Sequence, residues 1–233
     1  MKLLAIETAT EACSAALLLD RDIWVRFEVE PRAHGRLILP MMEGLLAEAG
    51  LSLGQLDALA FGRGPGAFTG VRIAVGVIQG AAFAADLPVV PVSTLAALAQ
   101  QGLDEGANQV LAALDARMGE VYWGAFHGDG DGLVVPVTEE RVCPPGDVPL
   151  PQWQGWMGVG HGWAAHQAVL EARLGPCLSG RPMPDALPSA AEVARLAARD
   201  FRQGQVVSAE SALPVYLRDQ VAHKPGPRPS RAI

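Results

Sequence analysis

Two acidic residues stand where a nucleotide-handling enzyme would want them. Leu4-Ala5-Ile6-Glu7 and Ala112-Ala113-Leu114-Asp115 each end an apolar, strand-like run on an acid. Acids brought together from two such strand ends can hold hydrated magnesium and phosphate, provided that glycine-rich loops let backbone N–H groups approach the phosphates. The loop after Glu7, Thr8-Ala9-Thr10-Glu11, has no glycine and adds a second acid where phosphate would sit. A late adenosine-type loop has one candidate, Gly158-Val159-Gly160-His161-Gly162. Glu7 and Asp115 are therefore vestigial candidates for a nucleotide site, and no cofactor is expected. Gly64-Pro65-Gly66 ahead of Thr69 resembles an anion cradle at a helix N-terminus, but it lacks the Gly-Lys-Ser/Thr ending of a Walker loop. A tight turn capped by Thr69 accounts for the same residues.

Other chemistries find fewer residues. None of His34, His127, His161, His166 and His223 pair at the four-residue spacing that puts two metal ligands on one helical face, and no metal site is expected. There is no Gly-x-Ser-x-Gly elbow for a serine nucleophile. Cys13, Cys143 and Cys177 are odd in number and far apart, and read as idle thiols. Asp115, Arg117 and Glu120 form a compact polar group at a strand turn, suited to an ion pair or to docking a partner.

The elements that must carry these residues alternate between strands and helices. Residues 2–29 read as three successive strands broken by turn formers, an antiparallel meander. A helix follows over Gly35–Ala49, with Ile38, Met41, Met42, Leu45 and Leu46 at three- and four-residue spacing; Pro40 should bend it and Gly50 stop it. Then come a strand (56–62), a helix from Phe68 or Thr69 to Ala85, a strand (87–92) and a helix (93–101). A looser second copy begins at Gln109, with strands over 110–115, 121–127, 133–142 and 156–160 and helices over 163–174 and 190–202. A duplicated three-strand meander with helix–strand units is the plan of the two-lobed actin, Hsp70 and sugar-kinase (ASKHA) superfamily, an α/β fold. The expected lobes are 1–105, completed by the helix over 190–203, and 106–189, followed by a final segment (204–222) and a flexible, weakly basic tail (223–233).

Half of the 233 residues are apolar and 18% are charged, enough for a substantial core. The net charge is -7, without a Lys/Arg run in the body of the chain, so an autonomous nucleic-acid-binding surface would work against the long-range field. Glu7 and Thr8 cut short the apolar start, which reads as a strand rather than a secretory signal. Val71–Ala85 contains Arg72 and Gln79 and is short for a bilayer span. A cytoplasmic protein without a membrane role is expected.

The helix over 69–85 is apolar almost all round, which asks for burial on more than one side. Gly76, Gly80 and Ala84 form a ridge nearly free of side chains, onto which another helix can pack closely. With Ile73 and Val77, and with Leu37, Met41 and Leu45 from the neighbouring helix, it forms a candidate helix-bundle interface; the alternative is that both helices face inward.

Five patches together resemble the TsaB (YeaZ) family: Leu4 to Ser14; Ala33-His34 with Leu39-Pro40-Met41; Gly62-Arg63-Gly64-Pro65-Gly66-Ala67-Phe68-Thr69-Gly70-Val71-Arg72-Ile73; Asp115 to Tyr122; and Pro214-Val215-Tyr216-Leu217-Arg218. They span nearly the whole chain. The resemblance implies the superfamily fold without its catalytic equipment, and a pairing with a larger TsaD-type paralogue that transfers threonylcarbamoyl to adenosine 37 of tRNA. It further implies homodimers when that paralogue is missing, a TsaE-type P-loop ATPase reached through the complex, and only indirect contact with tRNA. Members commonly carry Asp where Glu7 stands. The alternative is a stand-alone weak ATPase or metallopeptidase of the same superfamily.

Overall fold

The computed structural model describes residues 1–218. The meander forms as expected. β1 (Lys2–Glu7), β2 (Ala12–Leu19) and β3 (Asp22–Val29) pair antiparallel, with Asp20 taking the left-handed conformation of the β2–β3 turn. Next come α1 (His34–Ala49), ended by Gly50 at φ 65°, then β4 (Ala58–Gly62), α2 (Phe68–Ala85), β5 (Val89–Val92) and α3 (Thr94–Asp104). β4 starts two residues later than its apolar run, because Leu56 closes a single helical turn over Leu53–Gln55. α2 is preceded by Ala67 without a side-chain cap, so Thr69 does not cap it as the sequence led us to expect.

The second half holds β6 (Gln109–Arg117), β7 (Glu120–Gly128), β8 (Val134–Pro136), β9 (Arg141–Cys143), β10 (Trp156–Val159), α4 (His161–Leu174) and α5 (Ala190–Arg202). The single strand expected over 133–142 is instead two short pieces, β8 and β9, which pair with opposite ends of β7. Pro136 supplies no N–H to continue the ladder, and β8 stops on it.

The result is an α/β fold with two mixed sheets, ordered β3-β2-β1-β4-β5 and β10-β6-β7-β8, with β9 also on β7. The inner face of the first sheet (Leu3, Ala5, Ala58, Ala60) and that of the second (Val110, Ala112, Val159) share one cluster with Leu95 and Leu98 of α3 and Val193 and Leu196 of α5. The outer face of the first sheet packs on α1 and α2, and that of the second on α4, where Trp123, Trp156 and Trp163 are buried. Five layers follow: α1/α2, sheet, α5/α3, sheet, α4. Ser93 and Ser189 cap α3 and α5 by accepting the N–H groups of Ala96 and Ala191, and the buried Ser14 hydroxyl accepts the N–H of Ala190, fixing the start of α5 on β2.

Candidate functional site

Glu7 ends β1 fully buried. Its carboxylate accepts the Ala9 N–H at 2.7 Å and the Thr94 hydroxyl at 3.0 Å. Burial pushes its carboxyl up to about 7, against the opposing pull of these hydrogen bonds. The segment between β4 and α2 closes over it. A Cβ on Gly62 would lie 1.9 Å from a Glu7 carboxylate oxygen, and a Cβ on Gly66 or Gly70 would lie 2.4 Å from the Ala9 carbonyl or 2.0 Å from that of Thr8. The Ala67 N–H donates to the Ala9 carbonyl at 2.7 Å, and the Thr8 hydroxyl to the Gly70 carbonyl at 2.8 Å. Glycines that could have cradled phosphate are spent on letting the chain's own backbone lie against the β1–β2 loop. Magnesium and phosphate do not fit here, because the acid that would hold them has no solvent-facing oxygen.

Asp115 sits at a bulge near the end of β6, mostly buried. It accepts the Arg117 N–H at 2.9 Å and pairs with the exposed Arg117 guanidinium at 3.0 Å. Its own N–H donates to His161 Nδ1 at 3.0 Å, which leaves the ring hydrogen of a neutral His161 on Nε2. Burial lowers the His161 pKa, opposed by the charges of Glu11 and Asp115. His166 reaches the same acid at 3.7 Å because α4 breaks locally at that residue (φ -132°, ψ 25°). Residue spacing gave no signal for this meeting, since it depends on that break. Glu120 does not join Asp115 and Arg117 as the compact group expected; it pairs with Arg218. His34 is structural, its Nε2 facing the Thr10 and Ala12 carbonyls at 2.7 and 3.2 Å. Among the described residues, no three His, Cys, Asp or Glu side chains are placed to hold a metal ion, and His223 lies outside them.

The two helices expected at an interface behave differently. Leu37, Met41 and Leu45 of α1 point into the core, with at most 9% exposure, and so leave the predicted surface. α1 has one apolar face, and the first sheet takes all of it. α2 buries Val71, Ala74, Ile78 and Ala82 against the sheet and still carries apolar residues on its other side. Gly76, Gly80 and Ala84 are exposed, Ile73 and Val77 are half-buried, and Phe83, which the ridge argument missed, is 83% exposed. Among the described residues, nothing lies within 4 Å of a Cβ built on Gly76 or Gly80. At the start of α2 the Arg72 guanidinium stacks 3.7 Å from the Phe68 ring, and its Nε donates to the Tyr216 hydroxyl at 2.9 Å. The segment 214–218 is not a strand; it is held by the Val215 N–H on the Arg63 carbonyl and by Arg218 on Glu120.

Residues 27–225 match the family model TsaD, described as tRNA N6-adenosine threonylcarbamoyltransferase. The chain is 45% identical to the tRNA threonylcarbamoyladenosine biosynthesis protein TsaB of Escherichia coli, over 96% of its length and 97% of the relative's. It belongs to the TsaB (YeaZ) family. The Haemophilus influenzae TsaB is 42% identical over 96% of each chain. The solved YeaZ of Pseudomonas aeruginosa superposes with a TM-score of 0.84 at 47% identity, covering 93% of this chain and 99% of that one. In this TsaB-family chain Glu7 is buried, and among the described residues one side of α2 is uncovered.

Proposed function

We propose that this chain is a non-catalytic docking subunit in the formation of threonylcarbamoyladenosine at position 37 of tRNA, and that it supports a TsaD-type threonylcarbamoyltransferase by presenting the outer face of α2. The observation that carries this reading is the stripe of exposed Gly76, Gly80, Phe83 and Ala84 with half-buried Ile73 and Val77, on a helix whose opposite stripe is already buried. Exposed glycines let a partner helix approach closely, and Phe83 supplies an anchor of the kind that dominates interfaces. The length and composition of α2 would also suit a membrane span, but Arg72 and Gln79 on it favour a protein partner in the cytoplasm. The same face would pair two copies of this chain when the paralogue is missing, and a TsaE-type ATPase and tRNA would be reached only through the complex.

The burial of Glu7 supports the absence of catalysis. A duplicated ancestor is supported by a shared pattern: β1 pairs antiparallel with β2 and parallel with β4, as β6 does with β7 and β10. The lobes would be 1–105 with α5, and 106–189.

Co-purification tests the reading. Val77→Glu and Phe83→Glu should each weaken association with the TsaD-type paralogue by about 100-fold or more while leaving the melting temperature within a few degrees. Leu45→Glu should instead unfold the chain, because it places a charge in the core. Unchanged association in both α2 variants, or ATP hydrolysis by the chain alone, would overturn the proposal.

A further inference from the structure

The two edges of the first sheet are treated differently. At β5, Val89 and Val207 exchange backbone hydrogen bonds at 2.9 and 2.8 Å, so a later part of the chain covers that edge. At the other edge, β3 has β2 on one side and no strand on the other among the described residues. It is eight residues long and contains no proline. Val25, Phe27 and Val29 alternate along its α5-side face at 42%, 43% and 54% exposure. Such an edge is a template for another strand unless charge or shape blocks it.

We propose that β3 pairs antiparallel with β3 of a second copy of this chain, in the register that sets Phe27 opposite itself. The charges and the exposed apolar residues together select that register: an axis beside Trp24 would also set Arg26 against the partner's Asp22, but it would leave Phe27 and Val29 opposite residues outside the partner's strand. A two-fold axis perpendicular to the sheet keeps like faces together, so the axis must pass beside a residue that meets its own copy. Centred on Arg26 or on Glu28, it sets like charges directly opposite, which destabilises a pair. Centred on Phe27, it sets Arg26 against the partner's Glu28 twice, Phe27 against the partner's Phe27, and Val25 against the partner's Val29. Opposite charges then share the α1-side face, and an aromatic pair flanked by valines shares the other. Arg26 already donates through Nη2 to Glu48 at 3.0 Å, which leaves other guanidinium N–H groups for the incoming carboxylate. Pro31 follows the strand and limits the ladder to a few residues on each side of the axis. The joined sheet would run through both molecules. This contact is separate from α2, and it stands or falls independently of the docking role given to that helix.

The test uses the full chain with Phe83→Glu, so that α2 cannot contribute, and with Cys143→Ser and Cys177→Ser, which leaves Cys13 buried. Directly opposed residues lie about 4.5–5.5 Å apart between Cα atoms, within disulfide reach, whereas a residue one step off the axis meets its own copy only diagonally, at roughly 7–8 Å or more. Under mild oxidation Phe27→Cys should form disulfide-linked dimers about tenfold faster than Arg26→Cys or Glu28→Cys. In the same background without added cysteines, sedimentation should show a concentration-dependent dimer that Phe27→Lys converts to monomer. Equal cross-linking at residues 26, 27 and 28, or a monomer at every concentration before Phe27 is changed, would overturn the proposal.

Discussion

At Glu7, an acid that could have served chemistry is shielded from solvent and held by the Ala9 N–H and the Thr94 hydroxyl. Its folded pKa of about 7 lies above the ordinary carboxyl value of 4.5. Between those two values the folded state binds the proton more tightly than the unfolded one, so stability falls as pH rises from about 4.5 to about 7 and levels off above. A shift of this size corresponds to ~3 kcal/mol. Glu7→Gln should therefore gain stability relative to the parent at pH 8, by about 1–3 kcal/mol, and should gain little at pH 4.5. Urea melts at the two pH values check this, and an equal change at both would contradict it. The neighbouring Gly62 has no room for a methyl group. Gly62→Ala should cost about 2–4 kcal/mol, and far less in a Glu7→Ala background where the clashing oxygens are gone; a double-mutant cycle reads the coupling. The sequence placed the acid at a strand end but gave no sign of its burial, because the occluding backbone comes from glycines some sixty residues away.

At the level of elements, the sequence pattern located α1 to α5 to within a few residues and described their faces unequally well. In α2, apolar residues all round signal two separate demands for burial, and the described residues meet only one of them. In α1, Leu37, Met41 and Leu45 belong to the one apolar stripe the helix has, alongside Ile38 and Met42, and the sheet absorbs that stripe. Periodicity shows that a face is apolar but not what covers it, so an interface can be read only from an apolar surplus. β8 and β9 were legible as extended chain, but their division was not, because it depends on where β7 offers partners. The meeting of Asp115, His161 and His166 needs the backbone break within α4, and five-residue spacing on a regular helix would have kept the two histidines on different faces.

For the molecule as a whole, the inner core cluster takes residues from both sheets together with α3 and α5. Unfolding one half would strip apolar cover from the other. A single transition is expected, with far-UV circular dichroism coinciding with tryptophan fluorescence, which here reports mainly on the second sheet through Trp123, Trp156 and Trp163. Two separated transitions would show that the halves are independent.

That shared cluster also bears on motion. Enzymes built from two lobes around a nucleotide commonly swing shut about a hinge, and the swing needs an interface that parts easily. Here, parting the two sheets would bring Leu95, Leu98, Val193 and Leu196 into water, at about 1.5–3 kcal/mol for each side chain fully uncovered. The molecule is wedged closed along its middle, and under the proposed docking role a partner on α2 would meet a stiff platform whose shape does not vary with whatever that partner binds.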